Sequence, residues 1–227
     1  MKFTKLPLKV PNLEKVKIQF ENLIEEFNNA ATSKEAYDVI KKYFKLSDQL
    51  TTEFTIISIR FSIDTLDKKN IRANEIANEI SPQINNFSTK FDKAVLESKF
   101  RKELEEKLGK HYFDILENNQ KVFNEVIIED LIEENKLVNK YEALLASAQI
   151  DFEGEKRNLS QLGKFMTSKD RDTRINAAKA YYGFLKENDD EIGDIYDKLV
   201  KLRTKMAQKL GYKNYVEFGY RRLGRLD

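Results

Sequence analysis

The sequence predicts a mainly α-helical fold of helical hairpins and a bundle, with one small β hairpin. Three observations carry that expectation. The 227 residues include only three prolines and eight glycines, too few turn signals for a β sandwich or barrel. Apolar residues recur at three- and four-residue spacing along most of the chain. Period two is clear in one place, the stretch QIDFEGEKRNL with Gly154 at its centre.

The elements follow in order. Pro7 and Pro11 hold a short lead out of helix. Val16, Phe20, Leu23, Ile24 and Phe27 then mark one helical face. Thr32 and Glu35 have the spacing of a capping box, so a second helix starts there with Ala36, Val39, Ile40, Tyr43 and Phe44 as its apolar face. Together these two helices read as an antiparallel hairpin. TTEFTIISIRFSIDTLDKK is ambiguous: its β-branched residues and partial alternation leave strand and buried helix equally open. Ile76, Ile80, Ile84, Phe87, Phe91 and Val95 form another helical stripe, and Pro82 inside it predicts a kink or break near Ser81.

Gly109 reads as a C-cap between two short helical pieces. A longer amphipathic helix is expected next, with Phe123, Val126, Ile127, Leu131, Leu137, Val138, Tyr141, Leu144, Leu145 and Ala148 on one face. The hairpin around Gly154 and a short helix over SQLGKFMTS follow. Ser168 or Thr167 is the expected N-cap of a helix that buries Ile175, Ala178, Tyr181, Tyr182 and Leu185, with Asp170 and Asp172 favouring its positive end. The last long helix is expected to bury Ile192, Ile195, Tyr196, Leu199, Leu202, Met206 and Leu210 and to end at Gly211. A further aromatic and arginine-rich helical start lies beyond it in NYVEFGYRRLGRLD.

Composition excludes several function classes. The net charge is +2, from 40 basic and 38 acidic residues, which gives no general basis for nucleic-acid or anionic-membrane binding. With no cysteine, a disulfide scaffold and a Cys-ligated zinc site are both excluded. The opening MKFTKLPLKVPN lacks the apolar core of a signal peptide, and no apolar run is long enough to span a bilayer. A cytoplasmic location is the expectation.

Catalytic constellations are missing as well. His111 is the one histidine, no GxSxG accompanies it, and HExxH, Walker and GxGxxG motifs are absent. Leu108, three residues before His111, removes the Glu-x-x-His pattern of a di-iron bundle. Glu129, Asp130, Glu133 and Glu134 could gather charge for a hard cation, but they read first as a solvated outer face. Arg171 and Arg174 beside Asp170 and Asp172 read as a buried ion network, with contact to an acidic ligand group as the sharper alternative. Arg60 lies among apolar residues and needs a partner, which Asp64 would supply four residues on. Arg221, Arg222 and Arg225 make the tail basic without an aromatic platform for RNA. Catalytic, cofactor-binding and metal-binding residues are therefore all expected to be absent from this chain.

Five stretches, in their order and spacing, resemble one family: IRFSIDTLD, ASAQIDFEGEKRNLSQL, SKDRDTRINAAKAYY, LVKLRTKMAQKLGY and NYVEFGYRRLGRLD. The chain resembles the N-terminal part of the oligoendopeptidase F type of M3 zinc peptidases, relatives of thimet oligopeptidase. The resemblance, which includes the opening Met1 and Phe3, covers essentially the whole chain but less than half of a family member. It implies a fragment, truncated after Arg225-Leu226-Asp227, divided into a helical hairpin region over 1–120 and a helix, β hairpin and helical region over 121–227. It also implies helix around Arg60.

For the parent, the resemblance implies a zinc metalloendopeptidase that cleaves oligopeptides, with its zinc motif further along the chain. The fragment would form a non-catalytic wall of the substrate channel, inactive alone and without stoichiometric zinc. Its implied partners are oligopeptide substrates through the parent channel and the missing catalytic region. A homodimer through the exposed apolar face is a further expectation. The competing reading is a freestanding helical protein-interaction module.

Overall fold

The computed structural model describes residues 3 and 6–225; Met1, Leu226 and Asp227 lie outside the described residues. Helix α1 spans Leu13–Asn28 and is capped by Asn12, whose side chain accepts from the Lys15 N–H at 2.9 Å. Its Val16, Phe20, Leu23 and Phe27 are buried, at the spacing the sequence predicts. Helix α2 spans Ser33–Ile63. Thr32 Oγ1 accepts from the Glu35 N–H at 3.2 Å, while the Glu35 carboxylate reaches back to the Ala31 N–H at 2.8 Å. The capping pair forms, with its return bond one residue further back than a capping box places it.

The ambiguous stretch is helix as far as Ile63, where α2 ends. A strand would have put Ile57, Ile59, Phe61 and Ile63 on one face. Instead Leu50, Ile57 and Phe61 are buried while Ile59 and Ile63 are exposed, which is helical spacing. Ile57 packs with Ala73 and Ala77, so tertiary burial decides where local preference does not.

Helix α3 spans Lys68–Leu96 and passes through Pro82 as one element, so the expected break is not there. Pro82 is buried, about 200° around the axis from both Ile80 and Ile84, within a continuous helix. Gln83 Nε2 also donates to the Glu79 carbonyl at 3.1 Å, a side-chain donor in the turn that a proline weakens. Helix α4, Arg101–Leu108, and helix α5, Lys110–Val122, meet at Gly109. Gly109 has φ 84°, the left-handed region glycine tolerates, and its N–H donates to the Glu105 carbonyl at 2.8 Å. These five helices enclose the main core, in which Tyr43 stacks on Phe91 at 4.3 Å.

The chain forms two compact units, one of residues 1–133 with 203–227 and the other of Glu134–Leu202. Helix α6, Ile128–Ala146, follows a 3₁₀ turn over Glu125–Ile127. Strands β1, Ile150–Phe152, and β2, Glu155–Arg157, pair antiparallel with Asp151 opposite Lys156. Glu153 and Gly154, at φ 51° and 80°, make the two-residue turn such a hairpin requires. Helix α7, Leu159–Gly163, begins with a capping box between Asn158 and Gln161.

Helix α8, Arg171–Glu187, is capped by Asp170 and not by Ser168 or Thr167. The Asp170 carboxylate accepts from the Thr173 N–H at 2.7 Å, and the Ser168 hydroxyl serves the Asp170 N–H. The small Ala177 makes the buried contact with Leu162 and Phe152. Tyr182 and Ile175 face outward as a result, against the expected stripe. Helix α9, Asp189–Lys209, buries Ile195 and Met206 and leaves Tyr196 exposed. Tyr141 on α6 and Val126 on the 3₁₀ turn before it are also exposed, against the expected stripe. Helix α10, Tyr215–Arg222, buries Phe218 in the first unit, against Ile127, Met206 and Ala207.

Candidate functional site

The most chemically distinctive place in the first unit is a buried polar cluster inside its aromatic core. Tyr43 comes from α2, Ser88 and Asp92 from successive turns of α3, and Tyr112 and Asn119 from α5. The Tyr43 hydroxyl and Ser88 Oγ share a hydrogen bond of 2.7 Å. Asp92 Oδ1 accepts from Tyr43 at 3.4 Å and Oδ2 accepts from Asn119 Nδ2 at 3.0 Å. Burial pushes the Asp92 carboxyl up to about 6, against the pull of its hydrogen bonds from Asn119 and Tyr43. Burial likewise raises both tyrosines. Tyr112 Oη is buried and has no hydrogen-bond partner among the described residues.

Asp92 could hold or release a proton near neutrality, yet it is only 2 % exposed and lines none of the clefts described below. No substrate reaches it, so the cluster is a feature of the scaffold. Sequence reasoning missed it. The available signal was a carboxylate beside Phe91 in an apolar stripe, with Ser88 one turn earlier.

The acidic run on α6 is corrected in part. Glu129 and Glu133 are exposed, but Asp130 and Glu134 are each 4 % exposed and do not belong to a solvated face. Asp130 Oδ1 accepts from Lys205 Nζ at 2.8 Å and Oδ2 from Lys209 Nζ at 2.5 Å. Lys209 Nζ also donates to the Val126 carbonyl at 3.3 Å. Burial works to raise the Asp130 carboxyl, but the two lysines outweigh it and hold it below its ordinary value.

This clamp ties the end of α9 to the start of α6, both within the first unit. Asp130→Ala is expected to destabilise that unit by about 1–3 kcal/mol in urea unfolding. A loss below about 0.5 kcal/mol would mean that the clamp contributes nothing. Because the Asp130 value is lowered, its contribution is present above the ordinary carboxyl value of 3.8 and is lost as pH falls through the folded value.

The arginines also find partners other than those predicted. Arg60 does not pair with Asp64; its Nη2 donates to the Leu6 carbonyl at 2.5 Å. Asp64 instead terminates α2 and accepts from the Leu66 and Asp67 N–H groups. The Asp170–Arg174 segment is no buried ion network. Arg174 Nη1 donates to the Ser168 and Lys169 carbonyls at 2.7 and 3.0 Å, fastening the loop before α8. Arg171 and Asp172 are exposed. In the tail, Arg221 pairs with Glu217 at 3.0 Å and Arg225 lies 5.2 Å over the Tyr220 ring. His111 is exposed in the first turn of α5, apart from any acid–base partner the structure gives.

No group of three or more His, Asp or Glu side chains among the described residues is placed to hold a metal ion. The residues present therefore do not fit zinc, which needs three or four convergent ligands. Surface clefts occur within the first unit. One of about 410 Å³ is lined by Phe27, Lys93, Glu97 and Phe100; another of about 640 Å³ is lined by Val10, Ile18 and Leu50. The first also holds Ser98, but its Oγ accepts from the Phe100 N–H at 3.1 Å and Glu97 pairs with Lys93 at 3.8 Å, so these groups serve the turn after α3. No helix among the described residues is long and apolar enough to cross a membrane.

Comparison with known proteins places this arrangement in a family. The profile of the peptidase M3 N-terminal domain matches residues 3–123. A Bacillus anthracis protein of known crystal structure, a candidate oligoendopeptidase F, is 43 % identical with a TM-score of 0.95 over 99 % of this chain and 41 % of its own. PZ peptidase A, solved with an inhibitor, is 40 % identical with a TM-score of 0.94, again over 99 % of this chain and 40 % of its own. The Enterococcus faecium oligoendopeptidase-F is 12 % identical with a TM-score of 0.65, a likeness of fold alone. No curated protein matches the chain. The chain thus spans about two fifths of the length of the solved relatives. On the matched residues and the shared fold together, the chain belongs to the M3 peptidase family, as its N-terminal domain.

Proposed function

We propose that this chain is the N-terminal, non-catalytic lobe of a metalloendopeptidase of the oligoendopeptidase F type, and that it walls the channel through which oligopeptides reach the reaction centre. The observation that carries this reading is the fit of nearly the whole chain onto only about 40 % of the related enzymes. The paired, self-satisfied charges of the chain suit a wall better than a catalyst. Zinc in the parent would be held by residues outside this chain, since no ligand set among the described residues fits it. On the same reading, residues 1–120 form the hairpin region of the wall and 121–227 lead into the remainder. The protein works in the cytoplasm, where short peptides are the available substrates.

The test compares the full product of the gene with the 227-residue chain on an internally quenched fluorescent oligopeptide, with and without a chelator. The expected result is cleavage by the full product that chelator abolishes and zinc restores, with no cleavage by the chain alone. Hydrolysis by the chain alone, or a zinc-supplied full product that cleaves nothing, would overturn the proposal.

A further inference from the structure

Helix α10 has two apolar faces. Phe218 is fully buried against Ile127, Met206 and Ala207. Val216, Tyr220 and Leu223 recur at the i, i+4, i+7 spacing and lie at least about 140° around the axis from Phe218. They are 64 %, 52 % and 72 % exposed. The second face of a surface helix is normally charged. Here the neighbouring charges are already engaged, Arg221 by Glu217 and Arg225 over the Tyr220 ring. What remains is an apolar stripe with a locally neutralised rim, the pattern of a helix that lays its anchors into an apolar groove.

We infer that this stripe is the docking face for the polypeptide that follows residue 227 in the longer protein; the inference rests on the lobe reading above. Two observations select that occupant. The N-terminal-domain profile begins at residue 3, so most of the roughly three fifths of a relative's length not spanned here lies downstream. The stripe lies on the last helix among the described residues, so a downstream segment starts within a few residues of it and meets it at high effective concentration. A charged partner would find few free charges to pair with, whereas a covering apolar segment of the same chain needs none.

The chain contains no cysteine, so single-cysteine variants give a clean test. Val216→Cys and Tyr220→Cys are made in the 227-residue chain and in the full gene product, with any downstream cysteines replaced by serine. Thiol labelling rates are read in native buffer against the urea-unfolded rate of the same variant. The expected result is labelling near the unfolded rate in the 227-residue chain and at least tenfold slower labelling in the full product. Equal rates in the two would overturn the inference. So would slow labelling of the short chain that quickens on dilution, which assigns the stripe to a second copy. A product that protects the stripe but cleaves no peptide sinks the peptidase reading and leaves the docking intact. One that cleaves peptides while the stripe labels freely does the reverse, and a coding sequence that closes at residue 227 overturns both.

Discussion

Phe91→Ala is expected to lower the unfolding free energy by about 3–5 kcal/mol. Phe91 is fully buried, stacks on Tyr43 at 4.3 Å with the rings 15° apart, and meets the edge of Phe27 at 5.7 Å. The one ring therefore holds α1, α2 and α3 together. Its removal loses both the transfer free energy and the contacts around a cavity that stiff aromatic neighbours cannot fill. Phe91→Leu keeps much of the volume and is expected to cost markedly less. Urea unfolding measures both; a loss below about 1 kcal/mol for the alanine variant would mean that the core collapses freely around the site.

Asp92→Asn is expected to do the opposite at neutral pH and stabilise the chain. Burial raises the Asp92 carboxyl to about 6 from an ordinary 3.8, so the native state binds its proton more tightly than the unfolded state does. That stabilising contribution is fully present below pH 3.8 and is lost as pH rises through about 6. Above pH 7 the buried ion costs the native state about 3 kcal/mol relative to the protonated group. Tyr43 from α2 and Tyr112 from α5 stay neutral throughout this range, so Asp92 is the group that titrates in the cluster. The amide variant should gain about 2–3 kcal/mol at pH 8, little at pH 4, and lose the decline of stability between them. Uniform destabilisation at every pH would show instead that Asn119 and Tyr43 depend on an ionised acceptor.

Much of the fold was legible because helical period and caps are local. The α1 face, the Thr32 start of α2, the Gly109 punctuation and the Gly154 hairpin all formed where their residues indicate. Pro82 was legible as a helix breaker but not as a buried residue within a continuous helix. Long-range partners were not legible. Asp130 reads as a surface acid until Lys205 and Lys209, 75 and 79 residues away, are brought beside it. Arg60 finds a backbone carbonyl 54 residues away, not the carboxylate one turn on. The expected α8 stripe of Ile175, Ala178, Tyr181, Tyr182 and Leu185 is displaced because the small Ala177 makes the buried contact with Leu162. The buried Asp92 cluster draws on three helices, so no single stretch announces it.

The central claim, a wall that admits extended peptides and excludes folded chains, is tested most directly by substrate size. One cleavable sequence is offered to the full gene product as a free oligopeptide and as a surface loop of a stably folded protein. The expected result is rapid, chelator-sensitive cleavage of the free peptide and at least a hundredfold slower cleavage of the loop, recovered when the host protein is unfolded. Comparable rates on the two substrates would contradict the account, because a lobe that walls a channel cannot leave the reaction centre open to a folded protein.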